Sequence, residues 1–248
     1  MRLILRVAAM AAGLIVCVPL HYVWRLFGAR SIWPQVFLGY AARCAGLRVR
    51  IEGRPLQQQV LFVSNHVTWL DILALGGATR AAFVSRDDVE NWPLVGWIAG
   101  LNGTIYVARQ ARREVHGQAD RLRQALASGG AVALFPEGTT EGGHVVLPFR
   151  PSLFASLFPP IPGVKVQPVC IDYGAVAEAI AWVGAEPAGA NAKRVLSRKG
   201  SIPVVLRFLE PIDPSQAGDR KRLATRAQQE VEDALVPAQT ARAGADQL

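Results

Sequence analysis

One histidine and one aspartate follow an apolar run closely enough to act together. The run VLFVS leads into Asn65 and His66, and Asp71 ends the segment NHVTWLD. A carboxylate bonded to one imidazole nitrogen fixes the tautomer of the ring and raises the basicity of the other nitrogen. That nitrogen can take a proton from an alcohol as the alcohol attacks an acyl carbonyl, without a serine or cysteine nucleophile. The pair predicts general-base catalysis; the alternative is a loop histidine beside an aspartate that caps a helix.

The spacing of the pair sets a condition on the elements that carry it. Side chains at this spacing in a regular helix point about 140° away from each other. His66 and Asp71 can therefore meet only if the histidine lies in the turn before a helix and the aspartate in its first turns. The sequence allows this, because it predicts a strand over residues 60–64 and a helix over 69–76.

Short β-branched runs alternate with helical patterns along the rest of the chain. Further strands are predicted at residues 49–52, 81–84, 104–107, 131–135, 164–171 and 204–209, and further helices at 114–127 and 220–235. This alternation predicts an α/β fold with a mixed, largely parallel sheet flanked by helices. Parallel sheets carry their functional loops at the carboxyl ends of the strands, and His66 follows such an end.

The composition favours contact with lipid over contact with nucleic acid. Of the 248 residues 51% are hydrophobic and 19% are charged, and the net charge is +8. A basic surface fits nucleic acid, anionic lipid or an acidic protein. Because the sequence has no helix-turn-helix, zinc-finger or RNP pattern, we expect a membrane surface and no nucleic acid as partner.

The cysteines and histidines do not indicate a metal site, and we expect no cofactor. The three cysteines are far apart, and no histidine spacing matches a metal-ligand pattern. The histidines outside the predicted pair are expected at the surface or in packing; they are His21, His116 and His144.

The beginning of the chain has the features of a membrane anchor. Residues 7–23 are almost wholly apolar and cover roughly 26 Å as a helix, near the lower limit for crossing a bilayer. Tyr22, Trp24 and Arg25 at the end of the run suit the headgroup region. A cleaved signal peptide is the alternative, but bulky residues follow where a small-x-small cleavage site is needed. We therefore expect a retained anchor.

The segments around the anchor predict the organisation of the chain. Residues 31–47 have the pattern of an interfacial helix. Arginines are more numerous after the anchor than before it, which favours a body on the cytoplasmic side of a bacterial-type inner membrane. The predicted division is a membrane-anchoring helical segment at residues 1–46, the main domain at 47–236 and a disordered tail at 237–248.

Four blocks of the sequence carry a family resemblance. They are NHVTWLD (65–71), GTIYVAR (103–109), FPEGTT (135–140) and VQPVCI (166–171). In this order they resemble the glycerolipid acyltransferases with an H-x4-D motif, the type of the bacterial 1-acylglycerol-3-phosphate acyltransferases. The resemblance covers roughly residues 45–210 and implies a glycerolipid acyltransferase-like fold, with 47–236 as the acyltransferase domain.

The resemblance also implies a reaction. A fatty acyl group would pass from an acyl-CoA or acyl-carrier-protein thioester to a lysolipid hydroxyl, first of all that of 1-acyl-sn-glycerol-3-phosphate. His66 would be the base and Asp71 its partner. The implied acceptor-binding residues are Glu137, Gly138 and Thr139, with Arg109 and Arg86 as candidates for phosphate recognition.

One position departs from the family pattern. The third block commonly ends in arginine, which contacts the acceptor phosphate, whereas here the position is Thr140. Threonine cannot supply a charged, bidentate fork. Either the two arginines suffice, or the acceptor lacks a phosphomonoester, as in the lyso-ornithine lipid branch that EGTT and LPFRPSLF resemble. Outside this class the alternatives are a silent membrane lipid-binding protein and a hydrolase; the intact pair argues against the first, and the lack of a G-x-S-x-G elbow against the second.

Overall fold

A seven-stranded sheet forms the centre of the computed structural model, which describes residues 1–28, 31–107 and 114–245. Side chains are described except at 86, 107, 114–119 and 236–245. The strands are β1 (Leu47–Glu52), β2 (Val60–Ser64), β3 (Ala82–Arg86), β4 (Ile105–Val107), β5 (Ala131–Leu134), β6 (Lys165–Asp172) and β7 (Ile202–Phe208). Their order across the sheet is β1-β7-β6-β2-β5-β3-β4.

The pairing confirms the prediction of a mixed, largely parallel sheet. All neighbouring strands run parallel except β6 and β7, which pair antiparallel. β2 lies between β6 and β5, so the carboxyl ends of these three strands meet at one edge of the sheet. This edge is the one that His66 follows.

Helices cover both faces of the sheet. They are α1 (Arg2–Leu26), α2 (Trp33–Ala45), α3 (Leu70–Ala78), α4 (Val95–Leu101), α5 (Glu114–Ala127), α6 (Ala177–Ile180), α7 (Ala188–Ser197) and α8 (Arg220–Ala245). α3, α5 and α8 confirm the predicted helices, whereas α4, α6 and α7 were not predicted. α8 continues to Ala245, beyond the position where the sequence predicts the tail to begin.

The strand β2 is buried on both sides, which explains its unbroken apolar sequence. Val60 and Phe62 belong to the core beneath α2 and α3, while Leu61 and Val63 belong to the core on the opposite face. Successive side chains of a strand point to opposite faces, so a strand covered on both sides shows no polar alternation. The dense packing fixes the position and direction of β2, and therefore the place where the turn after β2 begins.

The helices α2 and α3 approach each other closely at two glycines. A Cβ atom on Gly77 would lie 2.6 Å from the Cα atom of Gly39. Side chains are absent at this crossing, and the two backbones therefore meet directly. Leu38, Ala42 and Ala45 of α2 join the core over the sheet. The predicted interfacial segment is thus also a structural layer of the domain.

The apolar helix α1 lies along the α/β body. By length and composition it could cross a membrane, with a mean hydropathy of 2.3 and 6% of the window buried. Near its beginning, Arg6 donates hydrogen bonds to the carbonyls of Leu196 and Gly200, each at 3.3 Å. Near its end, His21 is 5% exposed. Both ends of the helix therefore contact the rest of the protein.

Candidate active site

His66 and Asp71 meet at the carboxyl edge of the sheet as the sequence predicts. The imidazole Nδ1 lies 2.7 Å from Asp71 Oδ2. His66 occupies the turn after β2, and Asp71 lies in the first turn of α3. In the neutral tautomer that donates Nδ1–H to this carboxylate, Nε2 has a free lone pair that can accept a proton from a substrate. The histidine side chain is 17% exposed, so the ring remains accessible.

The Asp71 carboxylate is fully buried and its oxygens are all occupied. Oδ2 also accepts hydrogen bonds from the backbone amides of Val67 at 2.7 Å and Thr68 at 3.0 Å. Oδ1 accepts a hydrogen bond from the phenol of Tyr173 at 2.7 Å. A buried carboxylate held by this many donors cannot rotate freely, and it therefore holds the imidazole in one orientation.

Tyr173 is a site residue that the sequence reasoning missed. It follows β6, the neighbour of β2, and is only 2% exposed. Its burial, together with the charge of Asp71, raises the pKa of the phenol well above its ordinary value, so the hydroxyl stays protonated and donates. The available signal was its position two residues after the fourth sequence block, at the same edge of the sheet as His66.

Asn65 joins the end of β2 to β6 through its side chain. Its amide nitrogen donates to the carbonyl of Ile171 at 2.9 Å, and its amide oxygen accepts from the Ile171 amide at 2.8 Å. This pair of hydrogen bonds extends the β2–β6 ladder by a side chain. It fixes the backbone immediately before His66 relative to the strand that leads to Tyr173.

The ring of His66 stacks on Phe135, the residue that follows β5. The ring centroids are 3.9 Å apart and the planes differ by 13°. Phe83 stacks on Phe135 in turn, and the centroids of these two rings are 6.3 Å apart. The flat contact restricts rotation of the imidazole and gives the site an apolar wall.

Glu137 lies beneath the site and is 2% exposed. Burial raises the pKa of its carboxyl group to about 8, although backbone hydrogen bonds from Leu147 and His66 oppose the rise. Oε1 accepts a hydrogen bond from the Leu147 amide at 3.3 Å, while Oε2 has no partner among the described residues. Near neutral pH this side chain is a buried neutral acid.

The other residues of the third block form the turn around Glu137. Gly138 has a φ of +71°, a conformation that favours glycine. Thr139 is exposed. The hydroxyl of Thr140 donates a hydrogen bond to the carbonyl of Trp182, so its principal contact is within the protein. Their predicted contact with the acceptor remains a prediction.

The two arginines predicted for phosphate recognition lie at or beyond the limit of the described structure. The backbone of Arg86 ends β3, next to β5, and its side chain lies outside the described part. Arg109 lies outside the described residues altogether. Both roles remain predictions.

The chain matches known proteins over the region that builds this site. A family model described as Acyltransferase matches residues 47–172. The lyso-ornithine lipid O-acyltransferase of Rhodobacter capsulatus is 35% identical over 242 residues, which cover 90% of this chain and 86% of that protein. The chain belongs to the acyltransferase family. The resemblance seen in the four sequence blocks is thereby confirmed.

Two further known proteins resemble the acyltransferase over different shares of its length. The 1-acyl-sn-glycerol-3-phosphate acyltransferase of Neisseria gonorrhoeae is 33% identical over 133 residues, which cover 52% of this chain and 51% of that protein. The crystal structure of the 1-acyl-sn-glycerophosphate acyltransferase of Thermotoga maritima matches with a TM-score of 0.68 at 21% identity, over 96% of this chain and 97% of that one. The second likeness concerns the fold alone.

An apolar cavity of the acyltransferase shares Phe83 with the aromatic stack on His66. Its volume is about 350 Å³, and it lies between α1, α2, α3 and α4. Phe83 and Trp69 line it near the site, and Leu14 and Val18 of α1 line its outer side. Phe83 connects the cavity to His66 through Phe135. The cavity wall is almost wholly carbon, which fits an alkyl chain.

The described part of the acyltransferase has no group of three or more histidine, cysteine or acidic side chains that could hold a metal ion. His144 lies at the surface, 3.3 Å from Glu178, whereas His21 is buried. The side chain of His116 lies outside the described part.

Proposed function

We propose that the acyltransferase transfers a fatty acyl group from an acyl-CoA or acyl-carrier-protein thioester to the free hydroxyl of a lysolipid, with His66 as general base. The observation that carries this proposal is the 2.7 Å contact between His66 Nδ1 and a buried carboxylate, which leaves Nε2 free at the accessible edge of the sheet. Membership of the acyltransferase family supports the class of reaction.

In the proposed reaction His66 first accepts a proton and later returns it. Nε2 removes the proton of the lysolipid hydroxyl while the oxygen attacks the thioester carbonyl carbon. The carbon–sulfur bond of the tetrahedral intermediate then breaks, and the imidazolium returns its proton to the departing thiolate. Asp71 stabilises the imidazolium between the two steps through the Nδ1 hydrogen bond. The products are a diacylated lipid and a free thiol.

The apolar cavity supports a binding site for the acyl chain. Burial of each methylene group contributes about 0.8 kcal/mol, so a long chain gains much binding energy in such a space. Phe83 lines the cavity and stacks on Phe135, which in turn stacks on His66. A chain placed there would bring its carbonyl to the base.

The acceptor that we favour is a lyso-ornithine lipid. The lyso-ornithine lipid O-acyltransferase of Rhodobacter capsulatus matches over 90% of the chain, whereas the 1-acyl-sn-glycerol-3-phosphate acyltransferase of Neisseria gonorrhoeae matches over 52%. The family commonly has an arginine where this chain has Thr140. The hydroxyl of Thr140 donates a hydrogen bond to the carbonyl of Trp182, and the residue supplies no positive charge for a phosphate. 1-Acyl-sn-glycerol-3-phosphate is the second candidate, supported by the four motif blocks.

The proposed location is a bacterial-type inner membrane, with the catalytic domain facing the cytoplasm. The outer face of α1 is apolar and exposed, and it includes Ile4, Ile15 and Val16. Both ends of α1 contact the α/β body, at Arg6 and at His21. A helix held in this way lies along the body, which supports attachment within one leaflet.

The test measures thiol release by the full-length protein in lipid vesicles. Thiol should appear from acyl-CoA or acyl carrier protein only when a lysolipid is present, and His66→Ala should lower the rate by at least about a hundredfold. His144→Ala is the matched control, because this histidine is at the surface beside Glu178. Thiol release without lysolipid, or equal rates for the two variants, contradicts the proposal.

A second assay decides the acceptor. Lyso-ornithine lipid and 1-acyl-sn-glycerol-3-phosphate are compared at equal concentration with the same donor. We expect a higher kcat/KM for lyso-ornithine lipid. A higher value for the phosphate-bearing lipid would reverse our choice of acceptor while leaving the role of His66 intact.

A further inference from the structure

A second, polar cavity lies at the opposite edge of the sheet from His66. Its volume is about 540 Å³. The residues that begin β3 and β5, Ala82 and Ala131, line it, together with the end of α1 and the beginning of α2. Because these strands are parallel to β2, the cavity is separated from the catalytic pair by their length. The proposed acyl transfer does not use it.

The polar cavity carries positive charge without a counter-charge. Arg25 and Arg80 line it, and both are exposed. Neither guanidinium group makes a hydrogen bond or ion pair with another residue in the described part of the chain. Among its described lining residues none is acidic. The cavity therefore favours an anion over a cation.

His21 is a buried polar residue in the wall between this cavity and the apolar one. The side chain is 5% exposed, and neither ring nitrogen has a hydrogen-bond partner among the described residues. An unmade hydrogen bond of a buried donor is unfavourable by about 1–3 kcal/mol. The neutral imidazole has one N–H group, which could donate to an anionic oxygen.

The first turn of α2 adds to the attraction for an anion. Ser31, Pro34 and Gln35 line the cavity at the N-terminal end of this helix. The Trp33 amide donates to Ser31 Oγ and Pro34 has no amide hydrogen, so the attraction for a phosphate oxygen comes mainly from the helix dipole. Asn102 contributes an additional amide side chain to the lining.

The surroundings of the cavity indicate a lipid as the source of the phosphate. Trp24 and Trp33 pack edge to face next to it, with ring centroids 6.5 Å apart. Tryptophan is enriched at the headgroup level of membranes. His21, Pro34 and Leu101 line both the polar and the apolar cavity, so the polar cavity adjoins an apolar space. We propose that the polar cavity binds the phosphodiester headgroup of an anionic membrane phospholipid.

The test uses the full-length protein in a nonionic detergent, with dioctanoyl phosphatidylglycerol as the probe. Binding is measured by native mass spectrometry and by titration calorimetry. We expect a one-to-one complex, and we expect dioctanoylglycerol, which lacks the phosphate, to bind at least tenfold more weakly. Arg80→Gln and His21→Leu should each weaken phosphatidylglycerol binding by tenfold or more.

The control for lost charge is Arg48→Gln, because Arg48 is an exposed arginine in β1 that does not line the cavity. This variant should bind the probe like the unchanged protein. Arg80 is exposed, so its replacement tests the site even if His21→Leu disturbs folding. Wild-type affinity in Arg80→Gln, or equal binding of dioctanoylglycerol, would overturn the proposal. Displacement of the probe by an equal concentration of inorganic phosphate would overturn its assignment to a lipid.

Discussion

The phenol oxygen of Tyr173 lies 2.7 Å from Asp71 Oδ1, on the carboxylate oxygen that does not contact His66. The two residues are far apart in the sequence and meet because β6 and β2 are neighbours in the sheet. The His66–Asp71 pair is therefore the outer part of a three-residue arrangement in which a tyrosine holds the carboxylate from behind. Tyr173 is buried behind this carboxylate, and we expect it to act by positioning Asp71.

Replacement of Tyr173 by phenylalanine should lower kcat by about tenfold and leave KM nearly unchanged. The variant keeps the ring but removes a hydrogen bond to a charged group, which contributes about 1.5–3 kcal/mol. Asp71 can then rotate, and the imidazole loses its fixed orientation. Steady-state kinetics with varied lysolipid measure both constants. Tyr40→Phe is the control, since it removes an exposed phenol bonded to the Ala9 carbonyl; equal losses of kcat in both variants would contradict the positioning role.

The buried carboxyl of Glu137 should make folding stability fall as pH rises. Its pKa is about 8 in the folded protein, above its ordinary value of 4.5. Between these values the unfolded chain loses this proton while the folded protein keeps it, so the contribution declines by up to about 1.4 kcal/mol per pH unit. Below pH 4.5 the group contributes no slope, and above about 8 the loss levels off.

Thermal unfolding from pH 5 to pH 9 measures this dependence. Glu137→Gln should show a shallower decline in Tm than the unchanged protein, because the amide does not titrate. Glu210→Gln replaces an exposed glutamate and should reproduce the original pH profile. A parallel pH profile for Glu137→Gln and the unchanged protein would show that the carboxyl is ionised in the folded state.

Replacement of Gly138 by alanine should destabilise the turn of the third block. The residue has a φ of +71°, and a Cβ atom would lie 2.8 Å from Cζ of Arg150. The left-handed conformation is unfavourable for alanine by about 1 kcal/mol, and Arg150 must also move. Urea unfolding should therefore give a lower free energy of unfolding. Gly142→Ala is the matched control in the same loop, where a Cβ atom meets nothing within 4 Å; a loss as large in this control would refute the explanation.

A bulky side chain in the apolar cavity should shorten the preferred acyl chain. Ala99 of α4 lines the cavity, and Ala99→Trp would fill a large part of its 350 Å³. The kcat/KM for a long-chain donor should fall by about tenfold or more relative to a short-chain donor, since two methylene groups contribute roughly 1.6 kcal/mol. Competition between two donors of different length measures the ratio. Ala12→Trp places the same bulk on the exposed face of α1 and should leave the ratio unchanged.

Local sequence patterns predicted the elements that carry the catalytic pair. Strand β2 is apolar because both of its faces are covered, and the polar residues of NHVTWLD mark the turn that follows. The spacing of His66 and Asp71 means that the two side chains cannot meet if both residues lie in one regular helix. The remaining arrangement places His66 in a turn and Asp71 in the helix after it, as the structure does. These features depend on a few consecutive residues, and a single sequence contains them.

Contacts between distant segments were not predictable in the same way. Tyr173 reaches Asp71 only because of the strand order, and Glu137 is buried because the segment up to Leu147 folds over it. His21 interrupts an apolar run and was expected at the surface or in packing; its unpartnered burial between two cavities follows from the position of α1 beside α4. The helix α4 was missed because its seven residues include Gly96 and Gly100, which weaken a helical pattern.

The contact between Gly39 and Gly77 ties bilayer attachment to the integrity of the enzyme. The helix that follows the anchor shares its core residues with the sheet, so removal of residues 1–46 would expose the apolar face beneath Leu38 and Ala42 to water. Truncation would yield an aggregating remnant instead of a soluble catalyst. Any attachment through α1 and the folding of the domain would therefore be lost in the same deletion.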